Sequence, residues 1–79
     1  MNATQVRDTV IKPKVLELMG ERMGNSLLFR AATAAMSGST EGEKLENTIK
    51  VVCSDPAFAD MCGAAQITKY KTEWKGKLS

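Results

Sequence analysis

The chain has 79 residues, 43% hydrophobic and 25% charged, which describes one ordinary globular domain and excludes a chain disordered throughout. Its net charge is +2, with no histidine and two cysteines, so serine–histidine and cysteine–histidine nucleophiles are absent and a zinc site is short of ligands. No apolar run approaches the ~20 residues that span a bilayer, and the opening MNATQVRDTV lacks the basic-then-apolar order of a secretory signal.

Proline and glycine are scarce and β-branched alternation is nearly absent, so the chain is expected to be all-α. The periodicity predicts a compact array of four short helices, forming a single helical domain over residues 1–79. The first covers about 3–19, with Asn2 and Gln5 at capping-box spacing. Val6 and Val10 share one face, while Ile11, Val15, Leu18 and Met19 share another. The stripe changes direction at Pro13, whose ring removes a hydrogen bond and crowds the preceding turn, so an interruption is expected at Lys12–Pro13.

Gly20–Gly24 reads as a connection, with Asn25 or Ser26 capping a second helix over about 25–36. Leu27, Leu28, Ala31, Ala32, Ala35 and Met36 line its wide packing face, with Arg30 opposite. Met36 is expected to be a core residue that closes this helix. Gly38, Ser39 and Thr40 end it and open a third helix over about 40–53. Thr40 and Glu43 stand at capping-box spacing, and Glu41, Glu43 and Glu46 favour the positive end of the helix dipole. Capping accounts for this acidic cluster without any acid–base chemistry. Asp8 and Glu17 lie on polar faces.

Ser54-Asp55-Pro56 supplies the next start, with Ser or Asp as cap and proline at the first helical position. The fourth helix, about 56–75, carries two stripes. Phe58, Met61, Cys62 and Ala65 form one; Ile67, Tyr70 and Trp74 form a second on nearly the opposite side. The tight turn makes the third and fourth helices an antiparallel hairpin. Cys53 then sits at the turn and Cys62 about 9 Å further along its helix, beyond disulfide reach. Both cysteines are expected to be buried, reduced thiols.

The last stretch is basic: residues 66–79 hold Lys69, Lys71, Lys75 and Lys77 against Glu73 alone. Such a patch suits an acidic partner or nucleic acid, and also suits a helix C-terminus facing solvent. The Ile67, Tyr70 and Trp74 face lies beside it. Two readings stay open for that face, folding back on the first helix or anchoring a protein interface; contact with another chain is the expectation. No catalytic, cofactor-binding or metal-binding residues stand out.

The stretch QVRDTVIKPKVLELMG from Gln5 to Gly20, followed by ATAAMSG from Ala32 to Gly38, resembles the N-terminal segment of a lysozyme-like family of tailed bacteriophages. In that family a Gln-Val-Arg-Asp opening leads through Ile-Arg-Pro and a Leu-Gly turn. A helix then ends in Thr-Ala-Ala-x-Glu-Ser-Gly, whose glutamate is taken as the catalytic acid. Met36 stands at that position here, with Ser37 and Gly38 matching the residues after it. The resemblance implies phage origin and shared helical packing. It does not imply activity, because glycoside cleavage needs a proton donor and a thioether has none.

The expected protein is therefore a small, non-enzymatic bacteriophage protein acting through protein contacts, in a virion or its assembly. It would work without cofactors and without a membrane, in the virion or the host cytoplasm. Its partners would be copies of itself, a phage structural protein or a host protein. Alternatives are an effector that blocks a host protein, a nucleic-acid binder using the basic tail, and a degenerate peptidoglycan hydrolase.

Overall fold

Three of the predicted helix starts are capped as the spacing predicts. Asn2 and Gln5 form a reciprocal capping box: the Gln5 N–H donates to Asn2 Oδ1 at 2.8 Å and the Asn2 N–H to Gln5 Oε1 at 2.9 Å. Thr40 Oγ1 accepts from the Glu43 N–H at 3.1 Å, and Asp55 Oδ2 from the Phe58 N–H at 3.0 Å. The computed structural model describes residues 1–78 and among them contains helices and no strand. In chain order these are α1 (Ala3–Val6), a π-helical turn (Arg7–Ile11), α2 (Lys12–Ala35), α3 (Glu41–Ser54), α4 (Pro56–Cys62) and α5 (Ala64–Lys75).

The expected interruption at Pro13 does not occur. The helix runs through it, because the π turn just upstream lets the Lys12 N–H reach back five residues to the Arg7 carbonyl. Proline enters in the first turn after that register change, where its missing N–H leaves no bond unmade. The extra residue in the wide turn also merges the two predicted stripes. Val6, Ile11 and Val15 are all fully buried, although ordinary α-helical phase would turn Ile11 well away from Val6.

The break lies instead at Gly20, alone, with φ 81° and ψ 169°. This backbone region is essentially restricted to glycine. Residues 21–24 are already helical, so neither Asn25 nor Ser26 caps a new helix and the expected Gly20–Gly24 connection shrinks to one residue. The chain reverses tightly enough that a Cβ on the buried Gly24 would stand 2.8 Å from Leu16 Cδ2. After Ala35, the N–H groups of Met36, Ser37 and Gly38 bond back to the carbonyls of Thr33, Ala34 and Ala35 and close the helix in a tighter turn. Gly38 then rests against α3, where a Cβ would meet the Lys44 nitrogen at 2.7 Å.

The predicted helix over 56–75 is likewise bent, at Gly63, with φ 82° and ψ 155°. The bend returns α5 to the core that α4 already faces. The stripes expected on opposite sides therefore meet: Phe58 lies 6.3 Å from Trp74 and 6.5 Å from Tyr70, and Tyr70 stacks on Trp74 at 5.1 Å. Ala65 is exposed and Met61 is 48% exposed, so the straight-helix placement of both in the core is corrected by the same bend. Leu27, Ala31, Leu45, Ile49 and Val52 complete the interior between α2 and α3.

Candidate interaction surface

The bend at Gly63 settles the position of the predicted interface face. Trp74 is 2% exposed and Ile67 9%, with Tyr70 half-buried beside them. Ile67 and Trp74 are turned inward with Tyr70 half-buried beside them, so the expectation of contact with another chain through this face is corrected; the stripe is covered within the chain, mainly by α3 and α4 and not by the first helix as the other reading had it. The reason is geometric. A glycine in a conformation closed to other residues redirects the helix axis, and the second stripe then finds its cover within the chain.

The surface offers other apolar groups. Met36 is 83% exposed and Phe29 74%; Phe29 stands on α2 and Met36, seven residues on, caps its C-terminal end. Met36 is thus not the core residue expected of it. Leu27, Leu28 and Ala31 set the buried direction of this helix, and at 100° per residue Phe29 and Met36 point well away from it. Phe29 was missed in the sequence, although a large apolar residue out of phase with its neighbours is a signal that could have found it. Met36 was obscured because a run of alanines widens the apparent packing face.

Two clefts lie along one side of this ridge, between it and the first helix. One of about 380 Å³ is lined by Ala32, Ala35 and Met36 from α2, by Thr4 and Arg7 from the first helix and by Lys44 from α3. A second, of about 270 Å³, lies beside Phe29 and is bordered by Arg7, Lys12 and Leu28. Arg7, at 3.0 Å from Asp8, borders both. Glu41 helps join the elements near the larger cleft: one carboxylate oxygen accepts from the Ala3 N–H at 3.0 Å, the other lies 3.5 Å from Lys44 Nζ. The first-turn acid predicted to favour its own helix dipole thereby caps α1 as well.

The lysines of the C-terminal stretch separate on folding. Lys71 and Lys75 turn toward α3 and border one depression with Lys50, which the sequence pattern did not group with them. Lys69 and Lys77 are exposed and do not border that depression. Arg30, expected on the outer side of its helix, reaches the α3–α4 junction and pairs with the buried Asp55 at 3.0 Å. Asp55 thus serves as helix cap and ion-pair partner at once.

Both cysteines are free thiols, Cys53 buried and Cys62 half-buried rather than fully buried as expected. Burial pushes the Cys53 thiol up to about 11; the Lys71 ammonium opposes this and Cys62 adds to it. Burial also raises the Cys62 thiol, with Lys14 opposing. Neither thiol is a ready nucleophile at neutral pH. Among the described residues no group of three His, Cys, Asp or Glu side chains is placed to hold a metal ion, and no helix is long and apolar enough to cross a membrane.

Comparison with known protein families, with curated proteins and with solved structures finds no match to this chain.

Proposed function

We propose that this protein is a small, non-enzymatic binding module that works through contacts with another protein, and that the Phe29–Met36 ridge of α2 is its principal contact. The observation that carries this reading is the exposure of two large apolar side chains, Phe29 on α2 and Met36 at its C-cap, beside clefts that open between α2 and the first helix. Together they expose roughly 300 Å² of apolar surface, the size at which a monomer's largest patch is often functional. That is well below the ~800 Å² per partner of a standard interface. A symmetric pairing through these two residues would bury too little. The geometry favours a larger partner whose apolar pocket receives Phe29 and Met36 while its edges enter the clefts.

The reading as a bacteriophage protein, in a virion or its assembly, rests on the resemblance of residues 5–38. One feature of the fold accords with it. Met36, at the position of that family's acid, projects from a helix end beside the cleft of about 380 Å³. A thioether there can dock but cannot donate a proton, which favours a contact role over hydrolysis.

A photo-crosslinking residue at position 29 tests the proposal, with one at exposed Thr68 as the control. The partner captured from position 29 is then purified and its affinity measured directly. Phe29→Ala should weaken binding by ~2 kcal/mol or more, about thirtyfold. Equal affinity for the wild-type and substituted proteins, with crosslinks no richer at 29 than at 68, would overturn it.

A further inference from the structure

The furrow between α3 and α5 presents a second, chemically different surface. At one end Lys50, Lys71 and Lys75 border a depression of about 170 Å³ with Glu46 and the edge of Ile49. At the other end Gly42, Leu45 and Leu78 border a depression of about 250 Å³. Glu46 and Lys75 belong to both, so the two are continuous. The furrow is basic at one end and apolar at the other.

Its cations are uncommitted among the described residues. The ion pairs there join Arg7 to Asp8, Lys14 to Glu17, Arg30 to Asp55 and Lys44 to Glu41, none of them in the furrow. Glu46 and Lys50 stand one turn apart on α3 in the order that favours pairing, yet they do not close. Lys71 and Lys75 are also one turn apart, about 6 Å along the axis of α5.

From this we infer that the furrow is a docking groove for an acidic, amphipathic helical segment of another protein. Acids one turn apart on such a segment match the spacing of Lys71 and Lys75. An apolar side chain a turn further on meets the half-buried Leu78 beside Gly42, above the buried Leu45, as in other helix-in-groove contacts. Glu46 receives a basic or amide side chain between them and fixes the orientation. A nucleic-acid strand fits less well. Its phosphates would lie across the Glu46 carboxylate and the Leu78 end, and no free aromatic in the furrow awaits its bases, since Trp74 is buried and the half-buried Tyr70 is stacked on it. This surface lies on different elements from the α2 ridge, so its test stands apart from that of the proposed function.

The experiment titrates the full chain with three probes while following backbone amide shifts. The first is a short helical peptide with two glutamates one turn apart and a leucine a turn further on. The second replaces that leucine by alanine, and the third is an oligothymidylate of matching charge. The leucine peptide should bind most tightly and shift the amides of α3 and α5. Lys71→Glu combined with Lys75→Glu should weaken it roughly tenfold or more by like-charge opposition, while Lys69→Glu, on the same helix but off the furrow, leaves it unchanged and all variants melt like the wild type. Any of three results overturns the inference: oligothymidylate binding as well as the leucine peptide, affinity indifferent to the leucine, or shifts confined to the Phe29–Met36 ridge.

Discussion

Replacing Gly63 by alanine isolates the backbone conformation that shapes the C-terminal half. At φ 82° and ψ 155° the residue occupies a region that L side chains avoid, and a Cβ there would meet nothing within 4 Å. The cost of Gly63→Ala is therefore conformational, not steric, about 1–3 kcal/mol. For a 79-residue domain, total stability is of order 4–12 kcal/mol, so the loss is a large fraction. Gly42→Ala makes the internal contrast. Gly42 lies inside α3, and a Cβ added there would have only Thr40 Oγ1 nearby, at an ordinary 3.8 Å. At this position alanine should stabilise, by up to about 1 kcal/mol, through helix propensity. Urea unfolding followed by Trp74 fluorescence measures both. If Gly63→Ala proved as stable as the wild type, the positive φ would not be what holds the bend, and the account of how Trp74 reaches the core would fail.

Trp74→Ala should lower stability by ~3–5 kcal/mol, because it empties a buried site against Phe58 and Tyr70; thermal melting measures the loss, and an unchanged melting temperature would return this face to the surface. Asp55→Ala should cost about 0.5–2 kcal/mol for the lost cap of α4, whereas Asp55→Asn, which keeps a capping oxygen, should cost less in the same unfolding assay; Arg30 is 58% exposed, so its pair with Asp55 adds at most ~1 kcal/mol. Cys53 predicts a pH dependence. Below its ordinary value near 9 the thiol is protonated folded and unfolded; as pH rises toward about 11 the unfolded thiol ionises first, and stability falls by up to about 3 kcal/mol. Cys53→Ala should flatten that part of the alkaline decline, and thiol titration of the native wild type near pH 8 should find Cys62 reacting well before Cys53.

Helix starts were legible because capping is local. Asn2, Thr40 and Asp55 each satisfy an N–H three residues on, and no distant contact is needed to make that bond. The all-helical class follows from the same local rules. The candidate surface was only partly legible: Lys71 and Lys75 were visible in a basic run, but Phe29 was passed over although it is out of phase with its buried neighbours, and Lys50 joins the lysines only when α3 and α5 pack together.

The sequence by itself determined the all-helical class, the starts capped by Asn2, Thr40 and Asp55 and the clustering of charge at the end of the chain. Tertiary structure decided which apolar side chains face inward. That choice depends on phase and axis direction, and single residues alter both. One extra residue in the turn Arg7–Ile11 brings Val6, Ile11 and Val15 onto one line through a proline that should have divided them. Gly20 and Gly63 adopt conformations that helical periodicity does not anticipate, and each redirects everything after it. Trp74 therefore enters the core while Met36 remains in solvent, because burial is shared among elements and no element's own pattern shows which neighbour will cover it.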